Sequence, residues 1–317
     1  MIVRWGLEKL PGLLEEVGIS RPLLIASLRW GLSIPVSATW TEVPSHRVAE
    51  AAAQVGDGVV ALGGGSAIDL GKAVSAEAGV PVVSVPTTYA GAEWTPYFGI
   101  RDPDRRMRGG GAGAHLGGVV YEPDLTLSLP REETVGTAMN ALAHCAEALY
   151  VQGHNDEADE HALTGARLIG EWLSQVAERP DDLDARTRLL EGAMHAGMAL
   201  GASMLALGHA MAQALGGRYG LPHGAMNALV LPVALRFNEE LAPDAVRRFG
   251  EALGTDDPAG RVQELARLGR FERLRDFGVP EEELPSVAEA AAQRPGNQAN
   301  PRPAAPEEIE ELLRSAW

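Results

Sequence analysis

The sequence predicts an α/β domain with a mostly parallel sheet over residues 1–130, followed by an all-α helical domain over residues 131–317. Three observations carry this. Short apolar runs of strand length recur in the first part, helix-like segments separate them, and strand patterns stop after LTLSLP (125–130), where long Ala-, Leu- and Glu-rich stretches take over. Short buried strands alternating with helices indicate parallel pairing.

In order along the chain, IVRWG is strand-like, PLLIAS (22–27) is a first apolar run, GVVALGGG (58–65) a second and PVVSVPTT (81–88) a third. SHRVAEAAAQV and SAIDLGKAVSAEA are the helical partners. Little room for a helix exists between Ser27 and Ser37. DPDRRMRGGGAGAHLGG (102–118) is too glycine-rich for a helix or a central strand and reads as a mobile loop. Helices are expected around 132–151, 156–178, 184–206, 208–216, 224–238, 243–253 and 307–315, and RPGNQANPRPAAP (294–306) reads as a proline-rich surface connection. No internal repeat is found.

At 317 residues the chain has ample material for a core, and its 45% apolar and 22% charged residues are ordinary for a globular protein. No apolar run reaches the ~18 residues of a membrane span. The first residues, MIVRWGLEKLPGLLEE, carry acids and a proline where a signal peptide needs an apolar stretch, so a cytoplasmic location is expected. The single cysteine, Cys145, rules out an intrachain disulfide framework. A formal charge of −16 argues against a nucleic-acid surface, which needs basic groups at the phosphates. It leaves room for a small anionic or carbonyl substrate, because a few local donors outweigh the global field inside a pocket.

The chemistry concentrates in MNALAHCAEALY (139–150) and LGHAMAQALGGRYGLPHGAMNALVLP (207–232). Asn140 and His144 are four apart, so a helix stacks them on one face. His209 and His223 lie in similarly small-residue surroundings. Imidazole is both a good ligand for divalent transition metals and the usual acid or base near neutral pH, so the four residues are candidate catalytic or metal-binding groups. A lone histidine on an apolar helix is more often structural; three in matching contexts favour a site. Cys145 points about 100° away from the His144 face and is assigned to packing. His195 lies within a helix as core or interface, His46, His154 and His161 sit among polar residues at the surface, and His115 lies in the glycine-rich segment.

A second candidate is ALGGGSAIDLGKA (61–73), three glycines between a strand and a helix. Such a turn lets backbone N–H groups approach a pyrophosphate at a helix N-terminus, and Ser66 can cap the helix or donate to a phosphate. Taken alone, the triplet is equally well a tight strand-to-helix turn.

Both segments resemble the iron-containing alcohol dehydrogenase superfamily, which also includes the dehydroquinate synthase-like fold. GGGSxxDxxK is its dinucleotide signature, and PTTYAGAEWTP (86–96) resembles its PTTxxGSExT segment. The resemblance implies that Gly64, Gly65, Ser66, Asp69, Thr87 and Thr88 bind the cofactor, NADH or NADPH. Asp69 and Lys72 fall at signature positions, and an i, i+3 pair on the helix surface would explain them too. The first strand ends in Ser27-Leu28-Arg29 without an acid for the adenosine ribose, which leaves NAD and NADP both open. In the superfamily an Asp, a His four later and two further His form a metal site; Asn140, His144, His209 and His223 take those places here. A neutral amide in place of the anionic ligand weakens the attraction for a dication. Asn at this position is typical of the maleylacetate reductase branch, which works without a required metal.

PTTYAGAEWTPYFGIRD, VVYEPDLTLSLP, MNALAHCAEALY and NPRPAAPEEIEELLRSAW all look like that branch. Its members reduce maleylacetate to 3-oxoadipate during breakdown of aromatic compounds, and a homodimer is expected. Gln213 stands where many alcohol dehydrogenases of the superfamily have a further His. Tyr97, Arg101 and one of Arg105, Arg106 or Arg108 are candidates for substrate carboxylates. Two other functions are weighed: a metal-dependent alcohol or aldehyde dehydrogenase using iron or zinc, and a non-redox lyase, cyclase or binding protein on the same fold. The sequence begins directly at IVRWG, where the family's opening strand is expected to be missing, and carries the GGGAGAH loop; a changed substrate or a lost dehydrogenase activity is the consequence such departures would have.

Overall fold

Six strands form one all-parallel sheet in the order β1-β8-β5-β4-β2-β3. They are β1 (Ile2–Trp5), β2 (Leu23–Ala26), β3 (Ala38–Trp40), β4 (Val59–Gly63), β5 (Pro81–Pro86) and β8 (His115–Tyr121). The computed structural model describes residues 1–317, and the sheet belongs to a first unit of Met1–Thr88 and Ala92–Ser128. Tyr89–Gly91 and Leu129–Trp317 make a second unit.

Strand alternation divides the apolar residues between two faces. Leu24, Ala26, Val60, Leu62, Val83 and Val85 pack with Leu10, Leu13 and Leu14, from α1 (Leu10–Glu16). Leu23, Ile25, Val59, Ala61 and Val82 pack on the other face with Ala51 of α2 (Val48–Ala52) and Leu70 and Val74 of α3 (Gly65–Ala78). Each fully buried Val or Leu contributes about 1.5–3 kcal/mol. The stretch after β2 is non-helical, and Trp30, Leu32, Ile34 and Val36 cover the first face in place of a helix.

The structure corrects the loop expected at 102–118. Residues Phe98–Arg101 (β6) and Met107–Gly111 (β7) form an antiparallel hairpin, and β8 follows as an interior strand of the main sheet. Glycine there serves close approach: a Cβ on Gly118 would stand 2.9 Å from the Ile2 carbonyl and 3.0 Å from the Leu13 methyls.

In the second unit, α4 (Arg131–Ala148) is buried on nearly every side from Thr134 to Ala148, as expected of a helix apolar all round. Around it lie α5 (Asp156–Glu178), α6 (Leu183–Ala202), α7 (Leu207–Tyr219) and α8 (His223–Glu239), followed by α9 (Pro243–Ala252) and α10 (Pro258–Arg267). The short α11 (Leu284–Ala292) and α12 (Pro295–Gln298) and the terminal α13 (Pro306–Ser315) complete the unit. Asn155, Asp182 and Asp257 cap α5, α6 and α10 through their side chains. α10 to α12 are absent from the sequence expectation, and α6 ends at Ala202 rather than 206. The 294–306 stretch is not merely a surface connection, because Asn297 and Asn300 are buried and hydrogen-bond Ala292, Ala304 and Asn238. No single helix is long and apolar enough to cross a membrane.

One close approach places the polar cluster. A Cβ on Gly224, at the start of α8, would fall 2.3 Å from the Gly136 carbonyl of α4. Only glycine there lets the two helices meet so tightly, setting His223 beside the α4 turn that carries Asn140.

Candidate active site

The structure brings Asn140, His144, His209 and His223 together in the helical unit. The His144 and His209 rings stack with centroids 4.8 Å apart, and His209 and His223 are tilted at 5.7 Å. Asn140 Nδ2 donates to the Ala90 carbonyl at 3.0 Å and lies 3.4 Å from His144 Nε2. A carbonyl can only accept, so this contact orients the amide and leaves Asn140 Oδ1 facing Asn227, whose Nδ2 donates to it at 2.7 Å. Asn227 Nδ2 also lies 3.1 Å from His223 Nε2.

Glu147 completes the cluster. It is fully buried on α4, and its carboxylate accepts from the backbone N–H groups of Ala206 (2.7 Å) and His209 (2.9 Å) and from His209 Nδ1 (2.7 Å). It therefore caps α7, which has no capping side chain of its own, while holding the His209 ring. With Nδ1–H committed to the carboxylate, Nε2 is the nitrogen through which His209 meets a ligand, and Nε2 has no partner within the protein. His144 differs. Burial, reinforced by His209 and His223, holds it well below the usual imidazole range, so it is neutral at physiological pH.

Sequence reasoning missed Glu147 and Asn227, although helical spacing carried a signal for both: Glu147 lies three residues after His144 and Asn227 four after His223. Cys145 is buried, and burial pushes its thiol up, as fits packing. His161 is half-buried rather than exposed and lies tilted against His195, with the two Nδ1 atoms 3.0 Å apart. His46, His115 and His154 are exposed, and His115 stands at the start of β8 rather than in a loop.

In the α/β unit, Gly64 is the N-cap of α3, and no side chain caps that helix; Ser66 sits inside it and is not the cap. The first N–H groups of α3 are thus turned to whatever anion binds there. A Cβ on Gly64 would come 2.9 Å from Thr88 Cγ2, so the loop and the Thr87-Thr88 segment enclose a cradle that only glycine keeps open. Thr87 N–H donates to the Gly63 carbonyl at 3.0 Å, and the Thr88 hydroxyl is buried without a partner. This glycine cradle with its orphaned hydroxyl fits a dinucleotide phosphate.

Asp69 and Lys72 are not a solvated pair. Lys72 is 1% exposed, bonds Asp69 Oδ1 at 2.9 Å and donates to the Ala92 and Tyr97 carbonyls, while Asp69 accepts from Gly99 N–H at 3.2 Å. The pair anchors residues 92–99 against α3. Of the arginines proposed for substrate, Arg108 is committed to Asp102, and Arg105 and Arg106 are exposed. Tyr97 is also exposed, and Arg101 lines a shallow depression with Ser66 and Asp69.

Residues 134–317 match the C-terminal model of the Fe-containing alcohol dehydrogenase family, and residues 6–113 match the iron-containing alcohol dehydrogenase model. The chain belongs to the iron-containing alcohol dehydrogenase family. It is an oxidoreductase of that family, with its α/β and helical architecture. Among curated relatives, the maleylacetate reductase of Burkholderia cepacia is 39% identical over 82% of this chain and 74% of its own. The maleylacetate reductase of Pseudomonas knackmussii is 37% identical over 98% of this chain and 93% of its own. The crystal structure of maleylacetate reductase from Agrobacterium tumefaciens superimposes with a TM-score of 0.89 at 30% identity, covering 100% of this chain and 95% of that one.

The metal from which the family takes its name does not fit the cluster as arranged. Asn140 presents an N–H donor, not a lone pair, to His144 Nε2, and its oxygen is taken by Asn227. The stacked His144 and His209 rings also hold their in-plane lone pairs in two separate, near-parallel planes, which does not favour their meeting on one ion. No group of three or more His, Cys, Asp or Glu side chains is placed to hold a metal ion.

Proposed function

We propose that this enzyme reduces the carbon–carbon double bond of maleylacetate, or of a closely related unsaturated oxo acid, with NADH or NADPH, giving 3-oxoadipate. The observation that carries this reading is Asn140, an amide locked between Ala90 and Asn227 where the metal-dependent members have a carboxylate. The extent of identity to maleylacetate reductases supports the same substrate. A metal is not required in this reading, and the place of action is the cytoplasm, as a homodimer.

The bound reduced nicotinamide supplies a hydride. In the α/β unit, Gly64, Gly65 and Ser66 hold the pyrophosphate and Thr87 and Thr88 line the cofactor, with Asp69 positioning the segment that follows. In the helical unit, the substrate meets three imidazoles of different character. Hydride addition to the alkene carbon distal to the ketone pushes an electron pair onto the ketone oxygen, and that enolate needs donors. His144, neutral and accepting the Asn140 N–H at Nε2, keeps its Nδ1–H as such a donor. His209, carrying a proton on each ring nitrogen with its Nδ1–H held by Glu147, delivers the Nε2 proton to the carbon beside the ketone and is left as the neutral Nδ1–H tautomer, completing addition of H⁻ and H⁺ across the bond. His223, held by Asn227, helps bind the oxo or carboxylate groups.

The test is oxidation of NADH and NADPH, followed by absorbance, with freshly generated maleylacetate and enzyme stripped of metal by chelation, then resupplied with iron or zinc. Turnover in the stripped enzyme supports the reading. Turnover only after resupply, or with simple alcohols and aldehydes alone, refutes it.

A further inference from the structure

Among the residues that sequence reasoning left unassigned is Arg294, the residue just before α12. Several arginines of the helical unit have carboxylate partners: Arg218 with Glu283, Arg302 with Glu308, Arg314 with Glu281 and Glu310. Arg294 has only Gln213, whose side-chain oxygen accepts from Nη1 at 3.3 Å and whose backbone carbonyl accepts from Nη2 at 3.1 Å. Its Nε is buried with no partner at all. A neutral amide and a carbonyl orient a guanidinium but do not balance its charge. Arg186 shares this lack of a carboxylate, but it is 1% exposed and enclosed by Pro180 and Tyr89, whereas Arg294 is half-buried and open to a solute.

Position gives the cation a purpose. Gln213 is four residues after His209 on α7, so both project from one face about 5–6 Å apart. That is the order of the distance between the reacting carbons and a terminal carboxylate in a short oxo diacid. The α12 turn that carries Arg294 is fixed against the start of α7, since a Cβ on Gly296 would fall 2.6 Å from the Ala206 carbonyl. Guanidinium forks pair with carboxylates bidentately.

We propose that Arg294 binds a carboxylate of the substrate, with Gln213 holding the guanidinium one helical turn from His209. The assignment rests on His209 lying at the reaction centre. It moves substrate recognition from the arginines of the β6–β7 hairpin to the helical unit, and it gives Gln213 a role as positioning residue. Burial, unopposed by any carboxylate, lowers the Arg294 pKa, which fits a cation waiting for an anion.

The experiment uses the full chain with Arg294→Met and Arg294→Lys. Adipate, a stable six-carbon diacid, and hexanoate, which lacks one carboxylate, are measured by calorimetry against each protein, and KM for maleylacetate is measured in parallel. Expected is adipate binding to the native protein at least about tenfold tighter than hexanoate, with that preference lost in Arg294→Met and reduced in Arg294→Lys. KM for maleylacetate should rise by a similar factor, while affinity for the reduced nicotinamide and the melting temperature stay level. Equal affinity for adipate and hexanoate in the native protein, or an undiminished preference in Arg294→Met, overturns the proposal. If Arg294→Met does not fold, Arg294→Lys decides, since it keeps the charge but loses the fork. Adipate preference without maleylacetate turnover in the native protein would refute the substrate reading alone and leave the carboxylate site standing.

Discussion

Asn227 Nδ2 donates to Asn140 Oδ1 at 2.7 Å, so one neutral amide orients another inside the helical unit. With the Ala90 carbonyl fixing the far side of Asn140, the two amides direct N–H donors at His144 and His223. The cluster is thereby arranged as a set of hydrogen-bonding groups rather than as lone pairs converging on an ion.

Asn140→Asp reverses that arrangement. The new carboxylate would lose the donor to Ala90, placing two acceptors about 3 Å apart, and would offer an anion to the three imidazoles. We expect the metal-free variant to be about 1–3 kcal/mol less stable and to recover stability when zinc or ferrous iron is added. Thermal melts with and without chelator, with metal content by elemental analysis, decide it. A variant as stable as the native protein that takes up no metal would show that Ala90 and Asn227 do not set the character of the cluster.

Glu147→Gln keeps the shape of the side chain but can turn an amide N–H toward His209 Nδ1. That favours the other tautomer and places the proton on Nε2. Turnover is expected to fall about 100-fold or more with cofactor affinity unchanged, and Glu147→Asp to recover part of the loss. Nitrogen NMR of the His209 ring, at a pH where it is neutral, gives a reading that packing damage alone would not produce: proton on Nδ1 in the native enzyme and on Nε2 in the Gln variant. A native ring protonated on Nε2 would remove Glu147 from the mechanism.

What the sequence revealed, and what it hid, follow from how local each signal is. Asn140 and His144 were legible because helical spacing alone stacks them, and the glycine loop because strand, triplet and helix are contiguous. Glu147 lay in the same segment but takes its meaning from the start of α7, 59 residues later, where Ala206 N–H meets its carboxylate. Arg294 sits in a proline-rich stretch whose buried Asn297 and Asn300 make it part of the core rather than a connection. The first part of β8, up to Gly118, was read as loop because its glycines weaken strand propensity, although Gly118 is what allows β1 and α1 to approach.

Gly64→Ala tests the phosphate cradle. The backbone of Gly64 suits any residue at φ −79°, so the cost arises from the added methyl, 2.9 Å from Thr88 Cγ2. Overpacking of this kind costs about 1–3 kcal/mol, and we expect cofactor affinity, measured by nicotinamide fluorescence, to weaken by about tenfold. Adding Thr88→Ser removes Cγ2 but keeps the hydroxyl and should restore most of the affinity. Failure of the double variant to recover would place the cofactor loss elsewhere than in this contact.

Glu93 provides the pH test. It is 2% exposed, accepts from the Tyr121 hydroxyl at 2.7 Å with one carboxyl oxygen unpartnered, and burial pushes its carboxyl up from the usual range, with Lys72 and Tyr121 only partly opposing. Between its unfolded value of 4.5 and its raised native value, the native state binds the extra proton. Folding stability from this group is therefore fully present below the unfolded pKa and is lost as pH rises through the native one. Glu93→Gln removes the ionisation and keeps an acceptor for Tyr121. Urea denaturation at several pH values should then show the variant gaining on the native protein as pH increases, with no gain below about pH 4. A difference between the two that stays constant with pH would mean that Glu93 titrates alike in the folded and unfolded chains, and that the Tyr121 and Lys72 contacts balance its burial.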